Sequence, residues 1–332
     1  MSSADNAKVS IAMATYNGEK YIEEQLASLQ AQTCKADEVI IVDDCSADST
    51  PHIVSEFITK HNLDNWKLTI RTENQGYART FRQALSQTTG DIIFLCDQDD
   101  VWLPEKIEIM KNTMTANSKI CMLSCSDIMV NEFLKPLSSK PTPSPNGYIT
   151  KHIRKSDINV IGTCIRLPDF SGTIGCLCAV TRSLCNKYLQ MPIYTTAHDY
   201  ALARLAEAEC GYFFINLSLV YYRRHLSNVT DPNSSGNKES EVARRLYMLG
   251  IEMKDWKDLP IIFDSEHISN SYFNRIKRTA EIRCAFLEQS NMKTFFPYVL
   301  LSVRRPWKLK QHLRLLSDVY YILKEKQQKK GS

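Results

Sequence analysis

Long apolar runs are missing from this chain. No stretch of its 332 residues approaches the ~18–20 consecutive apolar residues of a spanning helix, so no transmembrane segment is expected. Met1 to Lys8 is polar and does not read as a secretory leader. Glycine is scarce, at 11 residues. The Gly-x-Gly-x-x-Gly fingerprint is absent after every candidate strand, which counts against a Rossmann dehydrogenase. No Gly-rich triphosphate loop is present either. The eleven cysteines lack the spacing of a disulfide framework or a zinc site. Cys96, Cys121, Cys125, Cys176 and Cys178 lie inside apolar runs, where a thiol behaves as a small buried hydrophobe. A reducing cytosol is therefore the expected compartment, and the Asn228-Val229-Thr230 sequon carries no weight. A net charge of +4 is too mild to point to nucleic acid.

What is present is an alternation of strand-like and helix-like segments. Val9 to Ala14, Glu38 to Val42, Trp66 to Arg71 and Asp91 to Cys96 read as strands. Between them, Ile22, Leu26 and Leu29 recur at helical spacing, as do Ile53, Val54, Phe57 and Ile58, and then Phe81 and Leu85. Thr50-Pro51 reads as an N-cap followed by proline at the first helical position, and Pro104 as the first residue of a helix carrying Ile107, Met110 and Met114. Such alternation predicts an α/β fold with right-handed crossovers and a mostly parallel sheet. Ile120 to Ser126, Thr173 to Thr181 and Tyr212 to Tyr222 read as further strands, and His198-Asp199 opens an Ala/Leu-rich helix. Gly175 inside an apolar run marks a close approach of backbone or ligand. Lys135 to Tyr148, with prolines and serines, reads as a surface loop. The expected organisation is a catalytic domain over residues 1–230, a linker over 231–241 and a basic helical region over 242–332.

Acids, not glycines, recur at the strand ends. Asp43 and Asp44 close the second strand, and Asp97, Asp99 and Asp100 follow the fourth. Carboxylates at the carboxyl ends of sheet strands sit where open α/β sheets bind ligands. The pair Asp97 and Asp99 suits a hard divalent cation, because Mg2+ takes one or two carboxylates together with substrate phosphates. The plainer reading is an acidic loop capping the next helix.

Taken in order, the segments Ala14-Thr15-Tyr16-Asn17-Gly18-Glu19, Val42-Asp43-Asp44-Cys45-Ser46, Asn74-Gln75-Gly76-Tyr77-Ala78-Arg79, Cys96-Asp97-Gln98-Asp99-Asp100-Val101-Trp102, Gly175-Cys176, His198-Asp199 and Tyr222-Arg223-Arg224-His225 resemble a family 2 glycosyltransferase with the GT-A fold. The resemblance spans Val9 to Thr230. It implies an inverting transfer of a sugar from a nucleotide diphosphate donor, with dTDP or UDP as the carrier. The acceptor it implies is a polysaccharide or lipid-linked oligosaccharide, and the cofactor is Mg2+ or Mn2+. A finer similarity, to bacterial surface-polysaccharide and O-antigen enzymes, points to rhamnose as the sugar.

By the same resemblance Thr15, Tyr16, Asn17 and Glu19 lie where base and ribose pack, and Asp44, with Asp43, accepts from the base N–H. Arg79, Arg223, Gly175 and Cys176 approach the donor. Asp99, Asp97 and His225 hold the metal, and Asp199 is the general base. The family often carries Glu-Asp where this chain has His198-Asp199, which leaves the role of His198 open. Two other classes remain: a nucleotidyltransferase acting on sugar phosphates, and a non-catalytic nucleotide-sugar binding protein.

From Lys293 to Lys330 basic residues outnumber Asp318 and Glu325. Interleaved with Phe295, Phe296, Leu300, Leu301 and Trp307, they suit an interfacial helix on the cytoplasmic face of the inner membrane. They equally suit a helical cap with a solvated basic face.

Overall fold

The computed structural model describes residues 6–137, 160–162, 174–191, 197–225, 270–289, 291–303 and 316–324. The expected loop beyond residue 137, the 231–241 linker and much of the basic tail lie outside the described residues.

Four strands begin the chain: β1 (Val9–Thr15), β2 (Glu38–Asp43), β3 (Trp66–Ile70) and β4 (Ile92–Cys96). They lie side by side in the order β3-β2-β1-β4, all parallel. Helices α1 (Ile22–Gln30), α2 (Thr50–Lys60) and α3 (Tyr77–Gln87) make the crossovers. β4 is buried along its whole length, as a strand covered on both faces must be. Ile22, Leu26 and Leu29 of α1 join Val9, Ile11, Met13, Phe94 and Cys96 in one apolar cluster on the sheet.

Beyond β4 the sheet becomes mixed. A two-residue strand, β5 (Val101–Trp102), precedes α4 (Lys106–Ala116), and β6 (Met122–Val130) follows. β7 (Val160–Gly162), β8 (Cys178–Thr181), α5 (Arg182–Gln190), α6 (His198–Ala208) and β9 (Tyr212–Arg223) complete the layer. β8 runs antiparallel between β4 and β6, whereas β6 and β9 pair in parallel with a register shift near Ser126. β5 and β7 both pair antiparallel to β9.

Several local expectations are corrected. Ser49, not Thr50, is the N-cap of α2, with Pro51 in its first turn. Pro104 precedes α4, which starts at Lys106 because the chain first makes β5. The run from Thr173 does not stay extended. Gly175–Leu177 is a single 3-10 turn ahead of β8, and Gly175 packs closely against His198, as shown below.

The chain divides into two compact units, residues 1–166 with 170–228, and residues 167–169 with 229–332. The second is helical where described: α7 (Asn270–Gln289), α8 (Met292–Val303) and residues 316–324. Phe286, Leu287, Tyr298 and Ile322 form its core. Asp318 is fully buried there and accepts from Arg283 Nε (2.8 Å), Arg283 Nη2 (3.1 Å) and the Tyr298 hydroxyl (2.8 Å). Among the described residues no helix is long and apolar enough to cross a membrane.

Candidate active site

The carboxyl ends of β1, β2 and β4 are stitched together by side chains. The Thr15 hydroxyl donates to Asp43 Oδ2 at 2.7 Å, and Asp43 also accepts from the Ser46 backbone N–H (2.8 Å) and hydroxyl (2.6 Å). Tyr16 N–H donates to Gln98 Oε1 (2.8 Å), and Gln98 Nε2 returns a bond to the Tyr16 carbonyl (2.9 Å). A Cβ on Gly18 would fall 2.3 Å from that same Gln98 oxygen, so this approach of the two loops requires glycine. Asn17 adopts φ 46°, a left-handed conformation that asparagine tolerates. Its Oδ1 accepts from Ala47 N–H at 2.9 Å. The Tyr16 ring remains 47% exposed.

Some residues expected at the donor are committed elsewhere. Glu19 Oε2 accepts from the Ser49 N–H (2.9 Å) and so caps α2. Asp43 closes the Ser46 turn. Asp44 is buried, and its two oxygens accept from the Gln75 N–H (3.0 Å) and the Gly76 N–H (2.7 Å), with Arg71 at 3.3 Å. Gly76 needs its freedom here, at φ 86°. Arg223 is 1% exposed, and its guanidinium is held by protein groups. Nε donates to the Asp99 carbonyl (2.8 Å), while the remaining nitrogens reach the Glu132 carbonyl and the Glu24 carboxylate. The cation lies over the Tyr21 ring at 4.6 Å. Arg79 is exposed in the first turn of α3.

The loop after β4 carries the strongest charge density. His225 Nε2 and Asp99 Oδ2 are 2.9 Å apart, and His225 packs on Tyr21 with centroids at 4.6 Å. Arg223 N–H donates to Asp100 Oδ1 at 3.0 Å, whereas Asp100 Oδ2 is buried without a hydrogen-bond partner. Asp97, Asp100 and Cys176 present ligand atoms within 4.8 Å of one another. Asp99 meets His225 as expected, but Asp97 groups with Asp100 and the Cys176 side chain. Burial, then the Asp100 and Asp99 charges, hold the Asp97 carboxyl well above the usual range. Burial and Asp99 push Asp100 up to about 7.

A hard divalent ion relieves such crowding, and oxygens of Asp97, Asp99 and Asp100 are the donors it prefers. The approach of Asp97 and Asp100 ligand atoms to within 4.8 Å supports that fit. Burial and the nearby Asp100 and Asp97 charges hold the Cys176 thiol well above its usual value, so it is not a hard-ion ligand.

Asp199 stands at the start of α6. Burial raises its carboxyl to about 6, against backbone N–H groups of Tyr200, Asp199 and Gly175 that lower it. The Tyr200 bond measures 2.7 Å. Its charge in turn raises Asp97, so the expected base and the acidic loop share one electrostatic site. A Cβ on Gly175 would lie 3.0 Å from His198 Nε2 and 3.5 Å from Asp199 Cβ. The glycine therefore serves α6, and the close approach inferred from sequence is to protein. His198 stacks on Phe81, with centroids at 3.6 Å and planes 19° apart. Both its ring nitrogens are buried and unpartnered, and burial lowers its pKa to about 3, so the ring is neutral.

Sequence reading missed Lys106. It is fully buried, donates from Nζ to the Cys176 carbonyl, and lies 3.5 Å from the centre of the Trp102 ring. A signal was available: Lys106, Met110 and Met114 recur at i, i+4 and i+8, which places the lysine on the buried face of α4.

The family model described as Glycosyl transferase family 2 matches residues 10–189, more than half of the chain. The chain belongs to glycosyl transferase family 2. Similar structures include the Staphylococcus aureus TarS 1-349 crystal structure in complex with UDP-GlcNAc, at a TM-score of 0.58 and 18% identity, covering 94% of this chain and 79% of that one. Another is mannosyltransferase PcManGT of Pyrobaculum calidifontis in complex with GDP-Man and Mn2+, at 0.51 and 19%, covering 95% and 85%. With the mixed sheet and flanking helices, these likenesses make the fold GT-A.

Among sequence relatives, poly(ribitol-phosphate) beta-N-acetylglucosaminyltransferase TarS of S. aureus (strain Mu50) is 40% identical over 28% of this chain and 16% of its own length. The uncharacterized glycosyltransferase alr2836 of Nostoc sp. is 28% identical over 37% of each chain. The aligned part of the chain spans little more than a third, at most, of the lengths of these relatives.

Proposed function

We propose that this family 2 protein is an inverting glycosyltransferase that moves a hexose from a nucleoside diphosphate donor to a glycan acceptor. The observation that carries the reading is the sharing of one electrostatic site by the raised carboxyl of Asp199 and the Asp97-Gln98-Asp99-Asp100 loop. Asp199 takes the proton of the acceptor hydroxyl, whose oxygen then attacks the anomeric carbon opposite the leaving diphosphate. A base near pKa 6 is ionised at neutral pH and still accepts a proton readily. The exposed Tyr16 ring gives the nucleobase a face to stack on, and Arg79, exposed in the first turn of α3, is free to meet phosphate.

Asp97, Asp99 and Asp100, with His225 beside Asp99, would hold Mg2+ or Mn2+. Bound there, the ion supplies Lewis-acid stabilisation of the diphosphate leaving group. The Arg223 clamp fixes the Asp99 backbone, and neutral His198 packs α6 against α3. Sugars such as GlcNAc and mannose, named for the structural neighbours, are donors to try first, followed by dTDP-rhamnose. The acceptor is a surface polysaccharide or its lipid-linked precursor, made at the inner face of the membrane.

The test is release of nucleoside diphosphate from a panel of UDP-, GDP- and dTDP-sugars with Mn2+ or Mg2+, alongside the shift in Tm that each nucleotide causes. A metal-dependent Tm rise confined to one nucleotide, with turnover of one of its sugars, is the expected result. No Tm shift and no release with any donor would sink the reading.

A further inference from the structure

We propose that Lys106 is a positioning residue that holds the Gly175–Leu177 turn against Asp199 and sets the charge under the acidic loop. This rests on the transferase reading above.

Burying an ammonium is costly unless its donors and charge are answered. Lys106 is fully buried on the face of α4 that carries Ile107, Met110 and Met114. Among the described residues it forms no direct ion pair. Its partners are the Cys176 carbonyl and the face of Trp102, with Nζ 3.5 Å from the ring centroid. Its positive charge therefore is not cancelled by one carboxylate. The residue whose carbonyl it meets, Cys176, brings its side chain within 4.8 Å of the ligand atoms of Asp97 and Asp100, so the charge stands beside the acidic loop.

The same ammonium anchors a mechanical link. Cys176 belongs to the 3-10 turn Gly175–Leu177. Gly175, one residue earlier, lies against the start of α6: a Cβ built on it would fall 3.0 Å from His198 Nε2 and 3.5 Å from Asp199 Cβ, and its backbone N–H helps to lower the Asp199 carboxyl. One buried cation thus ties α4, just after the acidic loop, to the turn that orients the base on α6. Two effects follow from this placement. Without Lys106 the Cys176 carbonyl is left unanswered and the turn is free to shift. Without its charge the acidic loop becomes a stronger cation trap, retaining metal and diphosphate when they should leave.

The test uses the full-length protein and two variants, Lys106→Met and Lys106→Gln. The readouts are Mn2+ affinity from the free-ion electron paramagnetic resonance signal at pH 8.5, donor KM, kcat, and tryptophan emission of the metal-free protein. Lys106→Met is expected to bind Mn2+ roughly tenfold tighter while kcat falls at least about 30-fold, with donor KM within about threefold. Tryptophan emission should shift as Trp102 loses the cation over its ring. Lys106→Gln removes the charge but keeps an N–H for the carbonyl. It is expected to tighten Mn2+ similarly and to retain more of kcat.

Unchanged Mn2+ affinity and kcat in both variants would overturn the proposal. So would weaker Mn2+ binding with a collapsed Tm, or two variants that do not fold, since either outcome makes Lys106 a core residue only. A wild-type protein that binds no Mn2+ and releases no nucleoside diphosphate would instead defeat the transferase reading, and this proposal with it.

Discussion

Asp199→Asn separates stability from turnover in opposite directions. Burial raises the Asp199 carboxyl from its ordinary 3.8 to about 6. At 1.36 kcal/mol per pH unit, holding the ionised group in the fold costs about 3 kcal/mol at pH 7.5. A raised carboxyl destabilises the fold only where the unfolded chain is ionised and the folded one resists ionisation. The cost is complete above about pH 6, shrinks as pH falls, and is gone below pH 3.8.

Asparagine is neutral throughout and keeps one oxygen for the Tyr200 and Gly175 N–H groups. Its amide NH2 lacks a built-in acceptor, which returns about 1 kcal/mol. The net gain near pH 7.5 is about 2 kcal/mol, or about 4–8 °C in Tm for a unit of this size. Turnover falls at least ~100-fold, the usual scale for loss of a general base. The assay pairs scanning calorimetry of metal-free protein at pH 7.5 and 4.5 with diphosphate release. A higher Tm at pH 7.5, a smaller difference at pH 4.5 and a lost rate are the expected set. An Asp199→Asn protein with unchanged turnover would refute the base assignment, and one with lower Tm at pH 7.5 would refute the charge argument.

Three further outcomes are expected. Asp99→Asn removes the carboxylate charge that faces His225 at 2.9 Å; it should remove the Mn2+-dependent part of any nucleotide-induced Tm shift and cost at least ~100-fold in rate. His198 is held neutral with its pKa lowered from 6.5 to about 3, so it contributes stability above pH 6.5 that is lost as pH falls toward 3. At pH 5 that loss is about 2 kcal/mol, and His198→Phe should show a correspondingly flatter dependence of Tm on pH between 7.5 and 5. Gly175→Ala places a Cβ 3.0 Å from His198 Nε2, so the ring or the turn must give by a few tenths of an ångström. Steady-state kinetics should show about a tenfold lower kcat with donor affinity within twofold.

The amino-acid sequence alone determined the alternating strands and helices up to β4, because apolar period and turn residues are local properties of the chain. It also determined the acids at the strand ends and the helix opened by His198-Asp199, since each depends on neighbours within a few residues. Only the tertiary structure decided how those acids are used. Glu19 caps α2, Asp44 holds the backbone of Gln75 and Gly76, and Arg223 turns inward between Asp99 and Glu24. Each of these bonds joins residues at least 30 apart in the chain, where no spacing rule reaches.

The antiparallel β8 and the two-residue β5 are likewise set by their partners rather than by their own propensity. Lys106 shows the boundary between the two kinds of information. Its place on the buried stripe of α4 was legible from spacing, but the charge became meaningful only when folding set it against the carbonyl of Cys176, whose side chain meets Asp97 and Asp100.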